Sequence, residues 1–177
     1  MHKDFEKVLV TKEQISTRIT ELATAISTDY KDTKPLFVCI LKGSIIFYAD
    51  LIRKMTVPCQ LDFIQVSSYG SGTTTGKIKL LKDLDNSIEG RDVIIVEDIV
   101  DSGKTLSYLK ELLGLRKPNS IKICTLLDKP ERREVALEAD YCGFVIPNEF
   151  VVGYGLDYDE NYREFDQIYI LKPEVYM

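Results

Sequence analysis

Residues 93–105 read Val93-Ile94-Ile95-Val96-Glu97-Asp98-Ile99-Val100-Asp101-Ser102-Gly103-Lys104-Thr105, and their reading decides the fold. Val93 to Val96 is an unbroken apolar run of the kind that forms a strand buried on both faces. Leu106, Leu109 and Leu113 follow at helical spacing, so the stretch reads strand, loop, helix. A glycine-containing turn that opens a helix is an anion site, because unpaired backbone N–H groups and the helix dipole point at the ligand. The ATP-binding pattern, however, needs glycine five residues before Gly103, where Asp98 stands. Glu97, Asp98 and Asp101 also place three carboxylates where a nucleotide triphosphate would lie. Acids and phosphate can share a site if the ligand is a sugar phosphate. Its hydroxyls bond to the carboxylates while its phosphate meets the amides, so the loop suits a ribose 5-phosphate.

Outward from this loop the chain keeps alternating. Thr11-x-x-Gln14 is a capping box, and Ile15, Ile19, Leu22, Ala23 and Ile26 trace one face of a helix to about residue 27. Leu36 to Leu41 is an all-apolar strand, followed by Lys42-Gly43-Ser44 and a helix over about 45–55. Further strands are expected at 61–66, 78–84, 93–98, 121–127, 142–146 and 168–171, with a helix over 104–114. Residues 67–76, SSYGSGTTTG, carry three glycines, three serines, three threonines and one large side chain, Tyr69. They cannot build a core and read as a long mobile loop. Strands that are apolar on both faces and alternate with helices imply an α/β domain with a parallel central sheet. Ligands of such sheets bind beyond the carboxyl ends of the strands, where Lys42, the 97–105 loop and Lys129 lie.

Bulk properties narrow the chemistry. The 177 residues fit one domain, 45% hydrophobic and 29% charged, which is ordinary for a soluble protein. A net charge of −5 argues against a nucleic-acid surface. No apolar run approaches a membrane span and the start lacks a signal peptide's apolar stretch, so a cytoplasmic location is expected. Cys39, Cys59, Cys124 and Cys142 are widely spaced and read as buried free thiols. The only histidine is His2, which removes histidine triads and histidine zinc sites. Proton transfer is left to a carboxylate, lysine or tyrosine.

The run V-I-I-V-E-D-I-V-D-S-G-K-T resembles the 5-phosphoribosyl-1-pyrophosphate (PRPP) signature of the type I phosphoribosyltransferases. Leu41-Lys42-Gly43, Ser68-Tyr69, Leu127-Asp128-Lys129-Pro130 and Phe150-Val151-Val152-Gly153-Tyr154-Gly155-Leu156-Asp157-Tyr158 narrow the resemblance to the hypoxanthine-guanine phosphoribosyltransferases. Five segments stand in the family's order, and the likeness runs from about residue 8 to the end. It implies the type I fold over 1–177 as a single domain: a mainly parallel sheet flanked by helices. Over the site it implies a small hood built from the N-terminal segment and about 145–177.

The resemblance also implies roles. Glu97 and Asp98 would hold the ribose 2- and 3-hydroxyls, and Asp101 would sit near purine N7 as general base or proton carrier. Ser102, Gly103 and Thr105, with the amide of Lys104, would cradle the 5-phosphate, leaving the Lys104 side chain in solvent. Lys42, Gly43, Arg163, Ser68 and Tyr69 would face the pyrophosphate, with the 67–76 loop closing over it. Lys129 would donate to the purine 6-oxo group, Phe150 would stack on the base and the backbone of Val151 would bond the ring edge. Asp157 would lie at the purine and, with Glu97 and Asp98, serve magnesium. The implied partners are small molecules (PRPP, hypoxanthine or guanine, IMP or GMP, pyrophosphate), with no nucleic acid, no membrane and a homodimer or homotetramer. Two other classes fit less well. A PRPP-sensing regulator that binds nucleic acid is opposed by the acidic balance and the complete base pocket. A P-loop kinase is opposed by Asp98 in one loop and by Ser71 and Ile78 in the other, Gly70 to Lys77.

Overall fold

In a computed structural model, residues 2–69 and 77–177 are described. Six strands form the main sheet: β2 (Leu36–Leu41), β3 (Gln60–Tyr69), β4 (Lys77–Lys82), β5 (Asp92–Val100), β6 (Ser120–Asp128) and β7 (Tyr141–Val145). Their spatial order is β4-β3-β2-β5-β6-β7. All neighbours are parallel except β3 and β4. The strand order reverses between β2 and β5, a topological switch point where the loops leaving both strands open a crevice. The Lys42 turn and the acidic loop border that crevice.

Period-two alternation sorts the core into two layers. Phe37 and Cys39 of β2, Ile94 and Val96 of β5, and Cys124 and Leu126 of β6 face α1 (Lys12–Asp29) and α2 (Ile45–Arg53). Leu36, Val38, Ile40, Val93, Ile95 and Ile123 face the opposite way, onto Leu106, Leu109 and Leu113 of α3 (Lys104–Gly114). Both faces are covered, as unbroken apolar strands require. The capping box at the head of α1 forms in both directions: Gln14 N donates to Thr11 Oγ1 at 3.3 Å and Thr11 N to Gln14 Oε1 at 2.8 Å.

A second sheet sits over the carboxyl ends. Its order is β1-β9-β8, with β1 (Phe5–Val10), β8 (Val151–Val152) and β9 (Ile168–Leu171) all antiparallel. Val151, Ile168 and Ile170 join the α1/α2 core, whereas Phe5, Val152, Tyr169 and Leu171 form a separate outer cluster. A short helix, α4 (Pro173–Tyr176), follows β9.

Some boundaries depart from expectation. α2 stops at Arg53 rather than 55, because Lys54 N and Met55 N bond three residues back and tighten the last turn. The loop expected from Ser67 does not begin there: β3 continues through Tyr69, paired with β4 in the register Ser67 to Lys79 and Tyr69 to Lys77. Neighbouring-strand hydrogen bonds override the loop-like composition there. The remainder of that expected loop, 70–76, lies outside the described residues. All four cysteines are free as expected, although Cys59 and Cys142 are only half-buried. Among the described residues no helix is long and apolar enough to cross a membrane.

Candidate active site

The acidic loop is built by two constraints. β5 carries Glu97 and Asp98 to the end of the sheet, and Gly103 then turns the chain with φ +81° to start α3. L side chains avoid that conformation, and a Cβ on Gly103 would also press on Arg133 Cδ and Val135 Cγ2, both at 3.0 Å. The result is an open helix N-terminus: among the described residues no side-chain hydrogen bond caps α3, and Ser102 Oγ lies 3.4 Å from Lys104 N. A cavity of about 270 Å³ lies against this terminus, lined by Glu97, Asp98, Asp101, Ser102, Gly103 and Thr105 among others. The Lys104 side chain points away from it and pairs with Glu134.

Glu97 and Asp98 set two carboxyls side by side at the end of a buried strand. Burial pushes both carboxyls above their ordinary range, and the neighbouring Asp98 raises Glu97 further. Arg163 works in the opposite direction on Asp98. Buried carboxylates of this kind are stabilised by a cation or by donors from a ligand. Asp98 Oδ1 accepts Ile99 N at 2.7 Å, which fixes the carboxylate's orientation.

Three turns meet at Gly43. The Leu41–Lys42 peptide is cis, a geometry the sequence could not reveal. A Cβ on Gly43 would overlap Asp98 Oδ2, and a Cβ on Gly155 would overlap Gly43 O. The Lys42 turn is thus wedged between the acidic loop and the 153–157 turn, an approach only hydrogen side chains permit. Lys42 Nζ pairs with Glu160 Oε2 at 2.9 Å. Arg163 is held by Asp157 Oδ1 at 2.8 Å and by Gly155 O at 2.8 Å, with Glu160 Oε1 at 3.5 Å. Two cations expected at one anion are therefore near each other, and both pair with carboxylates, Glu160 being common to the two.

A second cavity, about 420 Å³, is lined by Asp98, Ile99, Asp101, Lys129, Arg132, Phe150, Val151, Asp157 and Tyr176 among others. The two cavities share Asp98, Ile99 and Asp101. Lys129 is buried, its Nζ donating to Glu149 O at 2.6 Å. An ammonium has three donors, so two remain for a ligand. Burial pushes its pKa down, with Asp101 opposing and Arg132 adding to the fall. Phe150 meets Tyr158 edge-on, and Tyr176 lies stacked on it with centroids 4.7 Å apart. β8 is an edge strand. Leu171 N bonds Phe150 O at 2.8 Å, so alternation along the Val151 to Ile170 register turns the N–H and C=O of Val151 to the open edge.

A profile of the phosphoribosyl transferase domain family matches residues 9–159. The hypoxanthine-guanine phosphoribosyltransferase of Bacillus subtilis is 52% identical over 99% of this chain and 98% of that protein. The chain belongs to the hypoxanthine-guanine phosphoribosyltransferase family. A crystal structure of a hypoxanthine phosphoribosyltransferase from Staphylococcus aureus superposes with a TM-score of 0.96 at 50% identity, covering 100% of this chain and 97% of that one. The chain also matches the bifunctional protein TilS/HprT of Listeria innocua, 53% identical over 99% of this chain but only 27% of that protein. It thus spans about a quarter of the length of that bifunctional relative.

Against the family's expected site, the structure brings Glu97, Asp98, Asp101, Ser102, Gly103 and Thr105 to one cavity and Asp101, Lys129, Phe150, Val151 and Asp157 to its neighbour. Among the described residues no group of three metal-ligating side chains occurs, and both Asp157 oxygens are engaged, one by Arg163 and one by Glu160 N at 2.9 Å. Ser68 and Tyr69 are placed by their backbone at the end of β3. Residues that motif reading missed are Arg132, Tyr176, Asn148 and Glu149 in the second cavity, and Glu160 beside Lys42.

Proposed function

We propose that this chain is a purine-salvage enzyme that transfers the 5-phosphoribosyl group of PRPP to N9 of hypoxanthine or guanine, yielding IMP or GMP and pyrophosphate. The observation that carries the reading is the seam between the two cavities. One offers a helix N-terminus and paired carboxylates, the chemistry of a ribose 5-phosphate. The other offers a buried lysine, an aromatic face and a free strand edge, the chemistry of a 6-oxopurine. Asp101 lies in the wall common to both, where C1 and N9 must meet.

The residues then divide the work. The Ser102 to Thr105 turn fixes the 5-phosphate, and Glu97 and Asp98 accept the ribose hydroxyls. Lys129 donates to the 6-oxo group, Phe150 stacks on the base and Val151 bonds its edge. Asp101 receives the proton that the purine sheds at N7. Lys42 and Arg163 exchange Glu160 and Asp157 for the departing pyrophosphate, whose negative charge grows as the C1–O bond breaks. Two adjacent carboxylates, Asp98 buried and Glu97 partly so, both with raised pKa, fit a hard divalent cation, which binds through one or two carboxylates plus substrate oxygens. Magnesium, when bound, supplies charge neutralisation at the pyrophosphate and ribose oxygens. Oligomers, dimeric or tetrameric, accord with the family reading. The test is product identification: the chain, PRPP, magnesium and hypoxanthine should give IMP and pyrophosphate in equal amounts. Release of pyrophosphate without a nucleotide product would overturn the reading.

A further inference from the structure

Two neighbouring arginines converge on one residue of the proposed site. Segment 129–134 runs beside the acidic loop, with Lys129 N donating to Val100 O at 2.9 Å and Glu134 N to Ser102 O at 3.0 Å. Between these bonds, Arg133 Nη1 donates to Asp101 O at 2.7 Å, while its Nη2 pairs with Asp128. Arg132 reaches the same residue's side chain, its Nε 2.7 Å from Asp101 Oδ1. The backbone and the carboxylate of Asp101 are thus gripped by separate guanidinium groups.

The two grips differ in kind. Arg133 is only 15% exposed and packs its Cδ 3.0 Å from where a Cβ on Gly103 would stand, so it builds the loop. Arg132 lines the second cavity, is 52% exposed and meets Asp101 through the carboxylate. An exposed ion pair contributes little to stability, so its effect has to be sought in orientation. Asp101 Oδ1 is buried and, among the described residues, meets Arg132 Nε as an ion pair rather than through an aligned hydrogen bond, whereas the side chain as a whole is 43% exposed. The accessible carboxylate oxygen is therefore Oδ2. Rotation about the carboxyl torsion is broad in a free aspartate, and either oxygen could otherwise face the cavity.

We propose that Arg132 is a positioning residue: it holds Oδ1 so that Oδ2 faces the purine when N9 attacks. This rests on the transferase reading above, with Asp101 as the proton acceptor. The test is a double-mutant cycle of Arg132→Gln and Asp101→Asn, with Arg132→Lys as the conservative variant, read by pyrophosphate release under saturating and limiting PRPP. Arg132→Gln should lower kcat about tenfold, leave KM for PRPP within about twofold and leave Tm unchanged, because orientation rather than binding is lost. Arg132→Lys should recover part of the rate. In the Asp101→Asn background the same Arg132 substitution should change kcat less than about twofold, since there is no carboxylate left to orient. An equal loss in both backgrounds, a loss confined to KM for PRPP, or no loss at all would overturn the proposal. An inactive parent would instead sink the transferase reading itself, and the parent rate is measured in the same assay.

Discussion

Replacing Gly43 by alanine tests how closely the proposed pyrophosphate turn and the carboxylates depend on each other. Gly43 is not among the glycines with positive φ, so alanine can take its backbone conformation. The added methyl is the whole perturbation. It would overlap Asp98 Oδ2 and stand 2.9 Å from Asp98 Cγ, inside the 3.0 Å that real Cβ contacts respect. Relief requires the carboxylate oxygen to retreat by about 1 Å or more, against the 2.7 Å bond from Ile99 N and within a site where Asp98 is 8% exposed. Overpacking of this kind costs about 1–3 kcal/mol, and a domain of this size loses about 2–4 °C of Tm per kcal/mol, so the variant should still fold. A displacement of about 1 Å at a substrate-positioning group lowers the rate about 10²-fold. The expected result in the pyrophosphate-release assay is kcat/KM for PRPP down about 10²-fold, with KM for hypoxanthine changed only a few-fold. The purine cavity does not include Gly43. A variant within threefold of the parent for PRPP would refute the claim that Gly43 is there to let the turn approach Asp98.

Two further outcomes are expected. Asp101→Asn keeps the loop and PRPP binding but removes the proton acceptor, so kcat should fall about 10²–10⁴-fold; loss of PRPP binding with turnover intact would reassign Asp101 to binding. Burial, and then the charge of Asp98, raise the Glu97 carboxyl well above its ordinary value of 4.5. The folded state thus holds that proton more tightly than the unfolded one, and the stability it contributes is present below that value and lost as pH rises through the raised one. Glu97→Gln should therefore raise Tm of the ligand-free protein at pH 8, with the gap closing toward pH 4. Melts that show no pH-dependent gap would mean that Glu97 is not charged at the cost described.

The parallel core was legible because both faces of its strands are apolar and its helices carry caps and spacing. The second sheet was not. β1 reads Phe5-Glu6-Lys7-Val8-Leu9-Val10 and buries only its end residues, so its pattern resembles no buried strand. β8 is two residues long and exists because β9 pairs with it. The acidic loop, Lys42, Lys129 and Phe150 were legible because each sits on a local strand-turn pattern that a family signature singles out. Arg132, Tyr176 and Glu160 carry no such local signal. Their roles arise from chain reversals that bring residue 132 to 101, 176 to 150 and 160 to 42. The overlap that a side chain on Gly43 would make with Asp98 is likewise a property of two turns 55 residues apart, set by the neighbouring places of β2 and β5 in the sheet.

A phosphate loop and a 6-oxopurine pocket that share Asp101 imply a sharp choice of base. Pyrophosphate release should be measured with hypoxanthine, guanine, xanthine and adenine, each with PRPP and magnesium. A 6-oxo group accepts from the buried Lys129 ammonium, whereas the 6-amino group of adenine presents a donor to a donor and leaves the lysine unpaired. Sites built on such a hydrogen bond reject the mismatched analogue by roughly 10⁴-fold. Turnover is expected with hypoxanthine or guanine, and a kcat/KM for adenine lower by about that factor. Comparable turnover of adenine and hypoxanthine, or release that no base stimulates, would contradict that expectation.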